Sequence, residues 1–508
     1  MTSASRNPAV AGCGEIAQRT SPGETPLGTL DLMVEAARRA GADADPRRRL
    51  LARAEVVASV MSISLRHPDP GGLVAERLGL SGVRTLQSRI GGNLPQRLLN
   101  DLGAEIAAGR LDVALVVGGE TVYSRKRTPA DMAAEVDAPV PASQTEPAPL
   151  VGDDRPGSSA DELAHQAAIP TQVYPLFESA LRAAAGLGIE EHRRRVAELW
   201  AGFAAVASSA ARPAAWSAKA WSAEEIGTPG PENRWVVHPY TKLMCANIYT
   251  DQAAALLLCS PGAARAAGVP DDRLVHLHAG ADGADTQFFT ERRSLAESPG
   301  LRAVTGDVLA AAGVGVDDIA RFDLYSCFPS AVQMAMRELG LAGPAGGDHR
   351  PLTVTGGLSF FGGPGNNYVT HSVGAMVDAC RADPGSLGLV TGVGYYLTKH
   401  SAGVWSTRPP ERGYVRVDPA ATTAAIDTVP ARVPAGPYSG PVTVEATAVQ
   451  YGRDGEPVLG LLAGLTPDGR RALANCTDPS ALASMVSEEW AGRAVQLSTD
   501  GTVNVLAP

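Results

Sequence analysis

The sequence has no excess of basic charge. Its 508 residues include 44 Lys and Arg against 54 Asp and Glu, which gives a formal net charge of -10. Proteins that bind nucleic acid need clustered Lys and Arg to displace the counterions of the phosphate backbone. Basic runs such as residues 47–49 are short and typical of a solvated helix face. We therefore expect no nucleic-acid partner.

Paired cysteines and long apolar runs are also missing. The chain has six scattered cysteines, with no CxxC spacing: Cys13, Cys245, Cys259, Cys327, Cys380 and Cys476. Scattered cysteines are typical of reduced thiols in a cytosolic protein. The sequence begins without a basic segment followed by an apolar core, and no run approaches the ~18 apolar residues of a membrane span. These absences predict a cytoplasmic protein with no membrane span.

The sequence offers little support for a metal site. Residues 276–278, HLH, place two imidazoles on one face of a strand. A zinc site needs a third protein ligand, and none accompanies this pair in the sequence. We interpret the segment as a half-exposed strand and predict no bound metal.

Two stretches of the sequence look like copies of one unit. They are GGNLPQRLLNDLGAEIAAGRLDVALVVGGE and GGPGNNYVTHSVGAMVDACRADPGSLGLVTGVG. Each opens with glycines and an asparagine, a favourable helix N-cap, and continues with apolar residues at helical spacing. Each ends in an apolar run typical of a strand buried on both faces of a parallel sheet. The repeat predicts two similar α/β halves with paired helix N-termini.

An insertion separates the two copies. Residues 131–159 are rich in Pro, Ala, Ser and acidic residues, which predicts an irregular excursion. Apolar periodicity predicts helices around 174–185 and 189–207. We expect the inserted region, residues 121–240, to cap a pocket between the two halves.

The composition changes after about Pro410. Apolar residues alternate with polar ones from Val442 to Ala448, as in half-buried strands. Three Asp-Gly pairs further on predict hairpin turns, at residues 454–455, 468–469 and 500–501. The predicted organisation is a first half over residues 1–265, which contains the insertion, a second half over 266–409, and an additional β-rich domain over 410–508.

Five stretches, taken in order, resemble the thiolase superfamily. They are IGGNLPQ with its helix and VVGGE, then TDQAAALLL, DLYSCFPSAVQ, GGLSFFGGP and TGVGYYLTKH. The resemblance runs from near Pro8 to about Thr407. The chain is similar to the thiolase-like, acetyl-CoA acetyltransferase-like proteins of type 1, which carry an additional C-terminal β domain. The resemblance implies the α/β thiolase fold, with a five-layered αβαβα core, and a coenzyme A thioester as ligand without a tightly bound cofactor.

The side chains on which thiolase chemistry depends are absent. Thiolases use a cysteine at the N-terminus of the first repeat's helix, where the helix dipole favours a thiolate. They also use a histidine in Gly-His-Pro and a second cysteine in Cys-x-Gly. The resemblance places these three positions at Gly91 or Gly92, at Gly363, and at Thr391 or Gly392. We therefore predict that ordinary cysteine-dependent thiolysis is lost.

Tyr325 is the group that this sequence adds. It takes the place of the Asn or His of the third thiolase motif in DLYSCF. A phenol can donate a hydrogen bond to a carbonyl, or act as acid and base if its pKa is perturbed. Thiolase-like steroid side-chain aldolases are similar, since they use tyrosines for retro-aldol cleavage of an acyl-CoA. The alternative is a core tyrosine with a satisfied hydroxyl.

Other residues near the matched motifs are weaker candidates. Cys327 lies on the same strand face as Tyr325, and a buried, inert thiol is the favoured interpretation. His371 or His400 could replace the lost imidazole, and His400 is preferred because it follows a strand tip, where α/β sites form. Lys242 could contact coenzyme A phosphates.

We predict Tyr325 and His400 as catalytic residues. The predicted substrate-binding residues are Gly91, Gly92, Asn93, Lys242, Cys327, Gly363, Asn366, Thr391 and Gly392. The leading hypothesis is an acetyl-CoA acetyltransferase-like protein of lipid metabolism that binds acyl-CoA or a related thioester. One alternative is a tyrosine-dependent aldol or retro-aldol lyase, in which Tyr396 or His400 assists Tyr325. Another is a non-catalytic acyl-CoA carrier or scaffold with a partner protein. Either a monomer or a homodimer is compatible with the sequence.

Overall fold

The computed structural model describes residues 6–21, 24–127, 146–341 and 350–507. Its strands are β1 (Ala9–Ala17), β2 (Val56–Ser59), β3 (Arg84–Ser88), β4 (Val113–Thr121), β5 (Leu150–Val151), β6 (Trp235–His238), β7 (Tyr240–Thr241), β8 (Asp251–Cys259), β9 (Val275–Ala284), β10 (Ile319–Asp323), β11 (Leu387–Gly394), β12 (Lys399–Ser406), β13 (Val415–Arg416), β14 (Gly440–Tyr451), β15 (Pro457–Leu465), β16 (Arg471–Cys476), β17 (Ala494–Thr499) and β18 (Asn504–Leu506).

Its helices are α1 (Thr29–Ala44), α2 (Pro70–Leu78), α3 (Leu94–Ala107), α4 (Val122–Arg127), α5 (Ala160–Ala164), α6 (Pro170–Ala184), α7 (Ile189–Ala207), α8 (Ala223–Gly227), α9 (Pro261–Ala267), α10 (Pro299–Ala312), α11 (Pro329–Glu338), α12 (Gly357–Phe360), α13 (Tyr368–Ala382), α14 (Pro419–Ile426) and α15 (Pro479–Ser487). Within the described ranges, no helix is both long and apolar enough to cross a membrane.

Both copies of the repeat arrange their strands in the same order. The first half has the order β3-β2-β4-β8-β1, in which β8 runs antiparallel to both neighbours. The second half has the order β10-β11-β12-β9, with β12 antiparallel to both neighbours. The outer edge of β10 is hydrogen-bonded to residues 351–352. Phe322 N and Leu324 N donate to the backbone carbonyls of these two residues at 2.8 and 3.0 Å. These residues occupy the position of β3, and the predicted structural repeat is confirmed.

Helices α3 and α13 form the central layer between the two halves. Helix α3 contacts β4 of the first half and β9, β11 and β12 of the second, and α13 contacts strands of both halves as well. Helix α1 covers the outer face of the first half, and α10 covers the outer face of the second. The predicted apolar stripes are buried, including Leu98 and Leu102 on α3 and Val373 on α13. Burying each such side chain stabilises the fold by about 1.5–3 kcal/mol, so the five-layered core positions both helix N-termini firmly.

The two central helices have asparagine at the N-cap position, as predicted, but the side chains do not form the cap. Asn93 and Asn367 do occupy the N-cap positions, but neither side chain accepts a helix N–H group. Asn93 Nδ2 donates to Ser401 Oγ at 3.1 Å, and Asn367 Oδ1 accepts from Thr370 Oγ1 at 2.6 Å. Both asparagines are buried, so their amides bond neighbouring hydroxyls instead.

The C-terminal residues form a closed barrel, and a strand of the insertion pairs with it. Its strands follow the order β15-β16-β18-β17-β14, and β15 pairs with β14 to close the ring. The three Asp-Gly turns are confirmed, with φ values of 90°, 82° and 98° at Gly455, Gly469 and Gly501. Strand β6 of the insertion pairs with β14 through Val237 and His238. The insertion and the C-terminal residues therefore share one sheet, although the sequence assigns them to different domains.

The insertion contains the two predicted helices. They are α6 and α7, with bounds close to those that apolar periodicity indicated. Of the irregular excursion predicted over 131–159, residues 131–145 lie outside the described residues. Strand β5 follows and pairs with β3, extending the sheet of the first half.

Candidate functional site

The N-terminal turns of the two central helices meet between the halves. Gly91 N donates to Asn366 Oδ1 at 2.9 Å, and Asn366 Nδ2 donates to Met61 O at 3.0 Å. A Cβ on Gly392 would lie 2.8 Å from Asn93 Cα, so glycine at 392 allows strand β11 to approach the α3 terminus. The structure thus brings four of the predicted binding residues to one place.

The Tyr325 side chain fills the space beside Gly92. A Cβ built on Gly92 would lie 2.2 Å from Tyr325 Oη and 2.7 Å from Tyr325 Cζ. Carbon atoms do not approach that closely, so any larger residue at position 92 must displace the tyrosine. By the resemblance to thiolases, this is where the nucleophilic cysteine would project. If Gly92 rather than Gly91 is the nucleophile position, the phenol lies where the thiol would project.

The surroundings of Tyr325 fix the ring and leave its hydroxyl free. Its backbone N–H donates to Thr391 Oγ1 at 3.0 Å, and its ring packs edge-to-face against Tyr368 at 5.7 Å between centroids. The residue is 7% exposed, and its hydroxyl makes no hydrogen bond with any residue that the structure describes. Burial, with a smaller contribution from Cys327, raises the pKa of Tyr325 above its ordinary value. The phenol therefore stays protonated at neutral pH and can donate a hydrogen bond.

Cys327 is buried next to Tyr325. Its backbone carbonyl accepts from Ala246 N at 3.0 Å, which ties it to the loop before β8. Burial raises the pKa of Cys327 to about 12, and a hydrogen bond with Tyr174 offsets this only in part. Since the thiolate is the nucleophile, a thiol with this pKa is poorly suited to covalent catalysis.

We expect Cys327 to resist alkylation in the native protein. At pH 8 a thiol with a pKa of about 12 is ionised to about one part in 10⁴, roughly 10³-fold less than an ordinary cysteine. Iodoacetamide labelling, read by peptide mass spectrometry, should therefore proceed at least roughly 10³-fold faster after unfolding in denaturant. Equal labelling rates in the native and unfolded protein would contradict a buried, protonated thiol.

The glycine-rich turn over residues 356–367 is shaped by close contacts. Gly356 has φ of 103°, and a Cβ there would lie 2.4 Å from the backbone N of Ala207. Gly362 has φ of 117°, and its Cβ would lie 2.3 Å from Gln252 Oε1. Left-handed backbone and crowding together require glycine at both positions.

Gly363, the predicted position of the lost histidine, differs from these crowded glycines. A Cβ there would come no closer than 3.4 Å to a neighbour, the carbonyl oxygen of Asn247. Its backbone N–H donates to that same carbonyl at 2.8 Å. Packing therefore does not forbid a side chain at 363, and the imidazole is missing from a position that has room for its first carbon.

The structure holds His400 in a buried pair with Asp285. His400 lies on β12 with no exposed surface, and its Nε2 is 3.0 Å from Asp285 Oδ2 and 3.1 Å from Leu397 O. Because both partners accept, Nε2 carries the proton. Burial would raise the pKa of Asp285, but His400 and Arg292 hold it below its ordinary value. A catalytic part for His400 stays a prediction.

The alternative groups weighed from the sequence also have partners away from Tyr325. His371 is fully buried, and its Nδ1 lies 2.7 Å from Glu15 Oε1. Tyr396 Oη donates to Ala168 O at 2.7 Å. Lys242 is exposed at the surface. Its contact with a ligand phosphate stays a prediction.

Sequence reasoning missed Tyr174, which lies on helix α6 of the insertion. Its ring stacks on Phe328 at 4.6 Å, and its hydroxyl donates to Tyr395 O at 3.0 Å and accepts from Leu397 N at 3.3 Å. Burial raises the pKa of Tyr174, with a further contribution from Cys327. The sequence carried no signal for this contact, because a helix in an insertion can dock in many places.

A salt bridge beside His400 makes the stability of the folded protein depend on pH. Lys399 Nζ lies 2.8 Å from Asp153 Oδ1. Burial would raise the pKa of Asp153, but hydrogen bonds from Lys399 and Arg155 lower it to about 2. The folded-state pKa is below the unfolded value, so this stabilisation is present above about pH 4 and is lost as the pH falls toward about 2.

We expect Asp153→Asn to lower the melting temperature at pH 6 and to have little effect at pH 2. The asparagine cannot form the charged pair with Lys399, whereas at pH 2 the wild-type carboxyl is itself substantially protonated. Thermal unfolding of both proteins across this range measures the difference. A melting-temperature difference that does not change with pH would contradict this assignment.

Comparison with known proteins identifies relatives of the whole chain. The family model of the thiolase-like protein type 1 additional C-terminal domain matches residues 422–502. A monomeric SCP2-thiolase-like protein type 1 from Mycobacterium smegmatis has a solved structure that is 30% identical, with a TM-score of 0.82 and 99% of each chain covered. A comparison with curated protein sequences gives no match.

Two more distant solved structures share the fold. The Ltp2-ChsH2(DUF35) aldolase is 20% identical, with a TM-score of 0.56 over 79% of this chain and 98% of that chain. The dimeric peroxisomal thiolase of Saccharomyces cerevisiae is 15% identical, with the same TM-score of 0.56 and the same coverage. At these identities the likeness is one of fold, and it covers about four fifths of this chain.

Proposed function

This chain belongs to the SCP2-thiolase-like protein type 1 family, and we propose that it binds acyl-CoA or a related thioester at the paired N-termini of α3 and α13. The observation that carries the proposal is the Tyr325 hydroxyl in the place of a side chain on Gly92. A protonated phenol at this point can donate a hydrogen bond to the thioester carbonyl. Coenzyme A acts here as part of the substrate or ligand, not as a resident cofactor.

The proposed chemistry excludes an acyl-enzyme on cysteine. Gly92 has no side chain, and the pKa of Cys327 is raised to about 12 by burial. Removing a single oxyanion donor typically slows acyl transfer by roughly 10²- to 10³-fold, and here the nucleophile itself is gone. The resemblance to acetyl-CoA acetyltransferases is therefore one of ancestry, and we do not expect this chain to catalyse thiolysis.

A second candidate is a lyase, which the position of Tyr325 favours. In a retro-aldol cleavage of a β-hydroxyacyl thioester, a base, for which His400 is the predicted residue, takes the proton of the β-hydroxyl. The bond between the α and β carbons then breaks, and its electron pair passes to the thioester. The products are a carbonyl compound and a thioester enolate, whose oxygen the Tyr325 phenol would stabilise before the α carbon is protonated. The likeness to an aldolase is at the level of fold alone.

Tyr325→Phe tests the proposal, because it keeps the ring beside Gly92 and removes the donor. We expect calorimetric titration to show saturable acyl-CoA binding to the wild type and about tenfold weaker binding to Tyr325→Phe, from loss of one hydrogen bond. Free coenzyme A, which has no carbonyl at the sulfur, should bind both proteins equally. Failure of the wild type to bind any acyl thioester would overturn the proposal.

Turnover distinguishes the remaining functions. Cleavage of a β-hydroxyacyl-CoA that disappears in Tyr325→Phe would establish the lyase. Saturable binding without turnover of any thioester would favour a carrier or scaffold that acts with a partner protein. Thiolysis of acetoacetyl-CoA that is lost in Cys327→Ala would contradict the exclusion of covalent catalysis.

We also propose a cytoplasmic protein of lipid metabolism that acts as a monomer. All six cysteines are free thiols, which supports a reducing compartment. The similar protein from Mycobacterium smegmatis is monomeric. In this chain β5 pairs with Gln87 and Ser88, which occupies the end of the outer edge of β3.

A further inference from the structure

We propose that a groove between the end of β1 and the loop after α7 binds a phosphate group. The groove has a volume of about 360 Å³ and is lined by Arg19, Ser208, Ser209, Arg212 and Ser217, together with small apolar residues. Its lining contains two arginines and no carboxylate. This proposal rests on the proposed function, since it names the part of the thioester ligand that would carry the phosphate.

The side chain of Arg212 is mostly buried, and its guanidinium lines the groove. Its side chain is 8% exposed, and its nearest acidic group is Asp378 Oδ2 at 3.5 Å. In the described part of the chain the guanidinium makes no side-chain hydrogen bond, so its five N–H donors face Asp378 and the open space of the groove. Those donors are therefore left for a group that enters the groove.

Another buried arginine of the same protein shows the contrast. Arg471 bonds both carboxylate oxygens of Glu445 at 2.7 and 2.8 Å. It also donates to backbone carbonyls, so its donors have partners within the fold. An arginine that serves packing alone is satisfied in this way, and Arg212 is not.

Arg19 provides the second cation of the groove. Its guanidinium lies 4.7 Å from the ring centroid of Trp216, and in the described residues it forms no ion pair. Cation–π contact keeps the planar guanidinium in place without neutralising its charge. Two guanidinium groups and nearby hydroxyls are the donors that suit a phosphate, which accepts hydrogen bonds from planar, paired N–H groups.

Acidic groups also lie near the groove, since Glu15 and Asp43 are close enough to Asp378 to add to the rise that burial causes in its pKa. Asp378 is half-exposed and pairs with Arg212 at 3.5 Å, and burial raises the pKa of Asp378. Helix α7 ends at Ala207, so its negative end lies here. The backbone N–H groups of Ser208 and Ser209 bond two of its final carbonyls, which reduces that effect.

The segment that lines the groove is hydrogen-bonded to the glycine-rich turn of the candidate site. Trp216 N donates to Phe361 O at 2.7 Å, and Ser217 N donates to Phe360 O at 2.8 Å. The same turn continues to Gly363, the position of the lost histidine. A ligand with a thioester at Tyr325 and a phosphorylated nucleotide at its other end would suit this arrangement. Alternatively, the phosphate group in the groove would belong to a separate compound.

Calorimetric titration of the full chain with adenosine 3′,5′-bisphosphate and with inorganic pyrophosphate tests the groove. We expect Arg212→Gln and Arg19→Gln each to weaken binding of the bisphosphate about tenfold or more. Arg19 is exposed, so its variant keeps the test valid if Arg212→Gln fails to fold. Arg194→Gln, an exposed arginine paired with Glu198 outside the groove, should bind as the wild type does.

Competition distinguishes the two sources of phosphate. If the bisphosphate displaces coenzyme A, and Arg212→Gln weakens acyl-CoA but not an acyl-pantetheine thioester, the phosphate is that of coenzyme A. If the bisphosphate binds in the groove without displacing coenzyme A, the phosphate belongs to a separate compound. No binding of either probe, or equal binding by Arg212→Gln, Arg19→Gln and the wild type, would overturn the groove proposal. Failure of the wild type to bind both acyl-CoA and acyl-pantetheine would instead overturn the thioester proposal.

Discussion

Replacing Arg471 by methionine is expected to lower the free energy of unfolding by about 3–5 kcal/mol. Arg471 lies on β16 with no exposed surface. Its Nη1 donates to the carbonyls of Phe289, Thr290 and Arg292 at 3.2, 3.0 and 2.5 Å. These carbonyls belong to the second half, so one side chain fastens the C-terminal barrel to the thiolase core.

The large effect comes from the partners that the substitution leaves behind. Glu445 would remain as a largely buried carboxylate without its bidentate partner, and the carbonyls would lose their donor. Breaking one side of a buried pair costs more than replacing both sides by apolar groups. We therefore expect Arg471→Met with Glu445→Leu to be more stable than Arg471→Met alone.

Chemical denaturation measures this loss. The neighbouring Arg470→Met is a suitable control, because Arg470 is more than a third exposed and pairs with exposed Asp468. That variant should change the unfolding free energy by less than about 0.5 kcal/mol. A loss below about 1 kcal/mol in Arg471→Met would show that the buried arginine does not hold the barrel in place.

Gly92→Ala is expected to lower the free energy of unfolding by about 1–3 kcal/mol, because the new methyl group would overlap Tyr325. The overlap is with Oη at 2.2 Å and Cζ at 2.7 Å. In a Tyr325→Ala background the same substitution should cost less, so the two sites should show an interaction energy of about 1 kcal/mol or more. The relief is partial, since the carbonyl oxygen of Val393 is also 2.7 Å from the new carbon.

A four-protein cycle of wild type, two single variants and the double variant measures that coupling by chemical denaturation. Gly306→Ala serves as control, since Gly306 lies within α10 and a Cβ there meets nothing within 4 Å. Alanine in that helix should be neutral or stabilising, by up to about 1 kcal/mol. Equal costs of Gly92→Ala with and without the tyrosine would mean that Tyr325 does not fill this space.

Much of the core could be predicted from local sequence. The two copies of the repeat each carry a helical apolar stripe and an apolar strand, and these patterns act through periodicity within a few residues. The hairpins of the barrel follow from Asp-Gly pairs, which permit the positive φ that such turns need. Thus the sequence alone determined the halves, the central helices and the β-rich end of the chain.

The sequence also predicts which thiolase side chains are absent, because the motifs that would carry them can be compared residue by residue. What stands in their place was decided by tertiary packing. Gly92 and Tyr325 belong to different halves, and only the approach of β11 to the α3 terminus places the phenol beside the glycine. No local pattern encodes that distance.

Tertiary structure likewise decided the use of each polar group. Asn93 faces the other half instead of capping its helix, and His400 is buried against Asp285. Arg471 bonds carbonyls of a distant segment, whereas Arg212 bonds no carbonyl through its side chain and lines a groove with Asp378 at 3.5 Å. A hydrogen bond depends on which groups lie within about 3 Å, and that is fixed only when the layers of the fold have packed.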